Sequence, residues 1–137
     1  MVTWVAGYLA VFVTFFGADM MWLGTMAPRF YRPTLGDIAL SGVNLAPAVL
    51  FYAIYPVGLL IFAINPALKG GSLATALASG ALFGLFTYAT YDLTNHATLR
   101  NWTLALTTVD IAWGTLLATL ASAAGFVIAS KFVATGL

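Results

Sequence analysis

Apolar residues run almost unbroken through four stretches of the chain, at about residues 2–26, 43–64, 73–91 and 104–130. A helix needs about 20 predominantly apolar residues to cross the hydrocarbon core of a bilayer. The runs are continuous rather than alternating, so they predict helices and not membrane strands. The segment APRFYRPTLGDIALSG (27–42) holds two prolines, two arginines and two glycines, and is expected as a loop at the interface or in water. NPALKGGS (65–72) reads as a short turn, and DLTNHATLRN (92–101) is the most polar stretch. The expectation is an all-α polytopic membrane protein: a single domain, 1–137, of four transmembrane helices in an antiparallel bundle. Both termini then share one face with the 65–72 turn, the termini face; the other two connections share the opposite, loop face. The opening MVTWVAGYLA has no basic region before its apolar run, so it is expected as the first membrane helix and not a signal peptide.

Composition agrees with this pattern. Of 137 residues, 62% are hydrophobic and 7% charged, against about 45–50% and about 25% in soluble domains. The main solvent expected for this surface is lipid. The net charge of +1 writes no attraction to nucleic acid. Cysteine is absent, which excludes disulfides, thiolate metal sites and cysteine nucleophiles. His96 is the one histidine, and no metal or cofactor is expected from its spacing. LKGGS lacks the spacing of a phosphate loop, and no serine stands in a nucleophile elbow. Arg29, Arg32 and Arg100 on the loop face, against Lys69 and Lys131 opposite, point to a cytoplasmic loop face in a cell inner membrane.

Small residues form stripes at helical spacing. Ala76, Gly80 and Gly84 mark one face of the third span; Gly114, Ala118, Ala121, Gly125 and Ala129 mark one face of the fourth. Such faces allow close packing in lipid, against each other or against a partner subunit. Four-residue steps carry the first stripe on to Tyr88 and Asp92, and the second back to Asp110, so both aspartates are expected to face protein. Pro47 and Pro56 should bend the second span. Tyr52 and Tyr55 lie between them, in reach of the carbonyls that the bends free.

The polar residues are unevenly placed. Asp19, Asp92 and Asp110, with Asp37 in the first loop, all fall toward the loop face, as do the three arginines, Asn44, Asn95, His96 and Asn101. This predicts a polar cup there, one or two turns deep, above an apolar plug. GADMMWLGT (17–25) and TTVDIAWGT (107–115) share an aspartate followed three residues later by tryptophan. The first and fourth spans run in opposite directions, so this echo is not read as an inverted two-helix repeat. Trp4, Trp22 and Trp102, with Tyr8 and Tyr31, fit aromatic belts at the span ends. Trp113 lies deeper, and its indole N–H is expected to orient Asp110 or a ligand.

The candidate ligand- or proton-binding residues are Asp19, Asp92, Asp110, Trp22, Trp113, Asn44, Asn95, His96 and Arg100. The leading reading is a small-molecule binding or proton-coupled transport protein, assembled with itself or in a membrane complex. The alternatives are a non-catalytic accessory subunit, whose aspartates pair with Arg29, Arg32 and Arg100, and a small enzyme acting on a lipid.

At YDLTNHATLRNW (91–102) and VDIAWGT (109–115), with DMMWLG (19–24) and NLAPAVLFYAIYP (44–56), the sequence resembles the bacterial integral-membrane family catalogued as domain of unknown function 2177. The resemblance implies a four-helix bacterial membrane protein. It supplies no substrate, cofactor or catalytic residue.

Overall fold

A computed structural model describes residues 1–134. Helix α1 spans Val2–Met26 and runs on through a wide π-type turn at Ala27–Tyr31 into the short α2 (Arg32–Leu35) and a final tight turn at Gly36–Ile38. Helix α3 (Leu45–Leu59) continues through a second wide turn at Leu60–Ile64 into α4 (Asn65–Gly70), and α5 (Leu73–Thr98) and α6 (Leu104–Ala134) complete the bundle. No strand occurs among the described residues. Four helical stretches, Val2–Ile38, Leu45–Gly70, Leu73–Thr98 and Leu104–Val133, are long and apolar enough to cross a membrane. Large apolar side chains such as Val5, Val13, Phe62, Phe86 and Leu116 point outward, as helices solvated by lipid require.

The helices outrun the apolar stretches for physical reasons. Pro28, Pro33 and Pro66 each sit in the first two positions of a helical segment. A missing N–H costs little there, so the prolines of 27–42 and 65–72 start helical segments where loops were expected. Gly36, at φ 57°, ends α2, and Gly71, at φ 65°, ends α4; both need the left-handed freedom of glycine. Polar DLTNHAT stays helical because Thr90, Thr94 and Thr98 each donate their hydroxyl to the carbonyl four residues back, at 2.7, 2.6 and 2.9 Å.

Pro47 falls in the first turn of α3 and bends nothing; Pro56 is the interior one, and the wide turn at Leu60–Ile64 follows it directly. Proline at 56 loosens the carbonyl one turn before it. The carbonyl next to this one, that of Ala53, accepts the Tyr8 hydroxyl from another helix at 3.1 Å. Tyr52 and Tyr55 are not used there; they bond to Asp19 and Thr87 instead.

The small-residue stripes meet inside the chain. A Cβ built on Gly84 would lie 2.6 Å from the Gly114 carbonyl oxygen and 2.7 Å from the Ala118 Cβ, and one on Gly80 would lie 2.4 Å from the Ser122 hydroxyl. Helices α5 and α6 therefore touch backbone to backbone. Gly125 faces Val11 of α1 and Ile64. Around these contacts Val11, Phe15, Leu59, Ile64, Leu117, Ala118 and Ala121 form the core.

Candidate functional site

The second span is only half anchored. From Tyr55 to Ile64 it is largely buried against the other helices, whereas Leu45 to Ile54 is mostly exposed. The wide turn at Leu60–Ile64 packs on α1, α5 and α6; the first half of α3 leans on α1 and stands off α5. Tyr55 reaches across that gap, edge-on to Phe83 at 5.3 Å and to Tyr88 at 6.3 Å. The result is a cavity of ≈ 640 Å³, with walls from all four spans, on the loop-face side of the core. Its lining includes Asp19, Trp22, Tyr52, Tyr88, Asp110 and Trp113.

Asp19 is 6% exposed. Its two carboxylate oxygens accept from different helices: the Tyr52 hydroxyl at 2.5 Å and the Trp113 indole N–H at 2.9 Å. Asp110 accepts the Tyr31 hydroxyl at 2.5 Å, and that hydroxyl accepts the Trp22 indole N–H at 3.0 Å. The two indoles stack nearly parallel, with centroids 4.3 Å apart. This gives the repeated Asp-x-x-Trp a physical meaning. Helices α1 and α6 are antiparallel neighbours, so the same short pattern on each meets its copy reversed. Trp113 serves Asp19, and Trp22 serves Asp110 through Tyr31. The echo is a local two-fold relation of packing, and Trp113 bonds Asp19 where Asp110 or a ligand was expected.

Asp92 is 0% exposed, and neither of its carboxylate oxygens has a hydrogen-bond donor. The Tyr88 ring lies against Gly114; Asp92 is one turn beyond Tyr88 on α5 and Asp110 one turn before Gly114 on the antiparallel α6, so the helix contact brings the two acids to the same level. No arginine is paired with Asp19, Asp92 or Asp110 among the described residues. Arg32 instead donates to the Ser41 carbonyl at 3.0 Å. The ion-pair network considered from sequence is therefore not what these aspartates form. The three carboxyls do not converge on one point either: among the described residues no group of three His, Asp or Glu side chains is placed to hold a metal.

The remaining candidates lie outside the cavity. Asn44 and Arg100 are exposed, and Asn95 is half-buried beyond Asp92 on α5. His96 Nδ1 lies 3.2 Å from the Thr107 hydroxyl, which ties α5 to α6. Asn101 donates to the Leu35 carbonyl at 2.7 Å and to Asp37 at 2.9 Å, pinning the first connection to the third.

A family model described as "Predicted membrane protein (DUF2177)" matches residues 4–127. The chain belongs to that family. No curated protein and no solved structure matches it. The DUF2177 match covers every residue that lines the cavity.

Sequence reasoning missed the tyrosines. Tyr31 was placed in an aromatic belt and Tyr52 at a proline bend, yet each donates to a buried aspartate. The available signal was stoichiometric. Three intramembrane acids need donors, and tyrosines are the donors closest to them along the same face.

Proposed function

We propose that this membrane protein binds a small amphipathic molecule in the loop-face cavity. The observation that carries the reading is the cavity itself. Its volume of ≈ 640 Å³ lies in the range of small-molecule sites, about 300–1,000 Å³. The walls are mostly aromatic, with a few polar groups held in fixed directions, as ligand sites commonly are. The hydroxyl of Tyr88 points to no partner among the described residues and is free to bond a ligand. The stand-off between α3 and α5 supplies a side entrance from the bilayer. Transport is a further step that this reading makes possible: a bundle whose second span is anchored at one end only can rock about the Leu60–Ile64 turn.

The test is thermal stabilisation and tryptophan fluorescence of the purified protein in detergent, against neutral, cationic and anionic amphiphiles. At least one class should raise the melting temperature and perturb emission. Leu23→Trp, which places a larger ring in the cavity wall, should abolish that response while the protein stays folded. A protein that answers to none of the three classes does not use this cavity for binding.

A further inference from the structure

Three acids gather around the cavity with no basic side chain among them. Asp19 and Asp110 are in its wall, and Asp92 stands level with Asp110 on the neighbouring helix, one turn beyond the Tyr88–Gly114 contact. The titratable groups around the three acids from each packed element are Tyr31 from the first span, on Asp110, Tyr52 from the second, on Asp19, and Tyr88 and Tyr91 from the third, in the cavity wall. None of them carries positive charge. His96, one turn beyond Asp92, is engaged with Thr107.

Asp19 accepts from two donors. Asp92 has none and is 0% exposed. An ionised carboxylate only accepts, so two facing carboxylates cannot bond to each other; a carboxyl pair that shares one proton can. The aromatic walls supply what the acids need in exchange: Trp22, Trp113, Tyr52, Tyr55 and Tyr88 line the space, and aromatic rings attract cations.

Building on the binding function above, we propose that the ligand is a monovalent organic cation and that it exchanges with one proton shared by Asp92 and Asp110. In the empty cavity the proton bridges the two carboxyls. An amphipathic cation entering beside Asp19 and Asp110 replaces that positive charge, and the shared proton leaves by way of Asp110, the member of the pair that lines the cavity. Charge in the site is conserved: one cation in, one proton out. The exchange needs no other reactant.

The experiment compares tetraphenylphosphonium with tetraphenylborate, ions of matched shape and opposite charge, by titration of the purified protein in weakly buffered detergent with a pH indicator. The phosphonium should bind at least about 100-fold more tightly than the borate, a difference of about 2.7 kcal/mol, with affinity rising as pH rises. Binding should release one proton per cation. Asp110→Asn should weaken it by about tenfold, the change that about 1.4 kcal/mol of lost attraction gives. Asp92→Asn keeps the shape and supplies an amide donor to Asp110, so it should bind the cation with no proton release. Equal binding of the two ions overturns the cation assignment and leaves the cavity reading intact. Cation binding without proton release from the unaltered protein overturns the exchange. Binding of neither ion, nor of any amphiphile in the wider panel, overturns both proposals.

Discussion

Toward the termini face the helices pack closely through small residues, with α5 and α6 in backbone contact at Gly80 and Gly84; toward the loop face α3 stands off α5, and side chains reach across the gap. In the first region nothing polar is needed, because a dense contact of small residues replaces lipid by protein over a short distance. In the second region Tyr52, Trp113, Tyr31 and Trp22 bridge between helices to two aspartates. Close packing leaves no room for a ligand. A frame of long aromatic side chains around carboxyls leaves a cavity and fixes its chemistry. The same bundle thus has a rigid end and an adaptable one, divided near Tyr55.

The largest expected effect breaks the rigid end. Gly84→Leu forces a side chain into the Gly114 carbonyl and Ala118, which are backbone and core. Overpacking of this kind costs about 3 kcal/mol, read as a loss of stability in reversible unfolding from mixed micelles. Gly17→Ala is the matched control, because nothing lies within 4 Å of a Cβ at that position. If the two variants unfold alike, α5 and α6 are not in backbone contact and the comparison fails.

Asp19→Ala should come next. It leaves the Tyr52 hydroxyl and the Trp113 N–H without their acceptor. Hydrogen bonds to a charged group contribute about 1.5–3 kcal/mol, so a loss of about 2 kcal/mol is expected. Asp19→Asn retains one acceptor oxygen and should lose clearly less. Equal losses would show that the carboxylate geometry contributes nothing to stability at the loop-face end.

The rigid end was the more legible of the two in the sequence. Apolar length alone set the four spans, and the four-residue spacing of Gly80, Gly84 and Gly114, Ala118 marked the faces that meet. These patterns are local and periodic, so one helix announces them without knowledge of its neighbours. The stripes also placed Asp92 and Asp110 on protein-facing sides. The pairing at the loop face depends on which helix stands beside which. That Trp113 bonds Asp19 and not the nearer-in-sequence Asp110 follows from the antiparallel register of α1 and α6. Tyr31 reached Asp110 because helix continued through Pro28, which a proline in a polar segment does not advertise. Asn44 and Arg100 looked equivalent to the cavity residues in hydropathy, but each sits on the outside of a helix end, where polarity marks solvent and not a site.

The stacked indoles test whether the loop-face frame acts as a unit. Trp22→Phe and Trp113→Phe each keep a ring and remove one N–H donor, to Tyr31 and Asp19 respectively. Each should cost about 1 kcal/mol, the net worth of one hydrogen bond. Because the rings are stacked at 4.3 Å, the double variant should not equal the sum; neighbours in contact couple by about 0.5 kcal/mol or more. Strict additivity would mean that the two Asp-x-x-Trp patterns work separately, and the local two-fold relation would then be geometric only.

The smallest effect separates the regions at their boundary. Tyr8 lies on α1, and its hydroxyl caps the Ala53 carbonyl beside the bend at Pro56. Tyr8→Phe removes that bond and almost nothing else, so stability should fall by only about 0.6 kcal/mol, the average for hydrogen bonds between membrane helices. The consequence for the cavity is larger in kind. Loss of this tie to α1 frees the first half of α3 to tilt, so backbone amides from Leu45 to Ile54 should exchange faster with solvent deuterium than before. Amides of Leu117 to Gly125, in the close-packed end, should exchange as they did. If both regions loosen together, the bundle opens as one body, and the cavity end has no independent motion to offer a ligand.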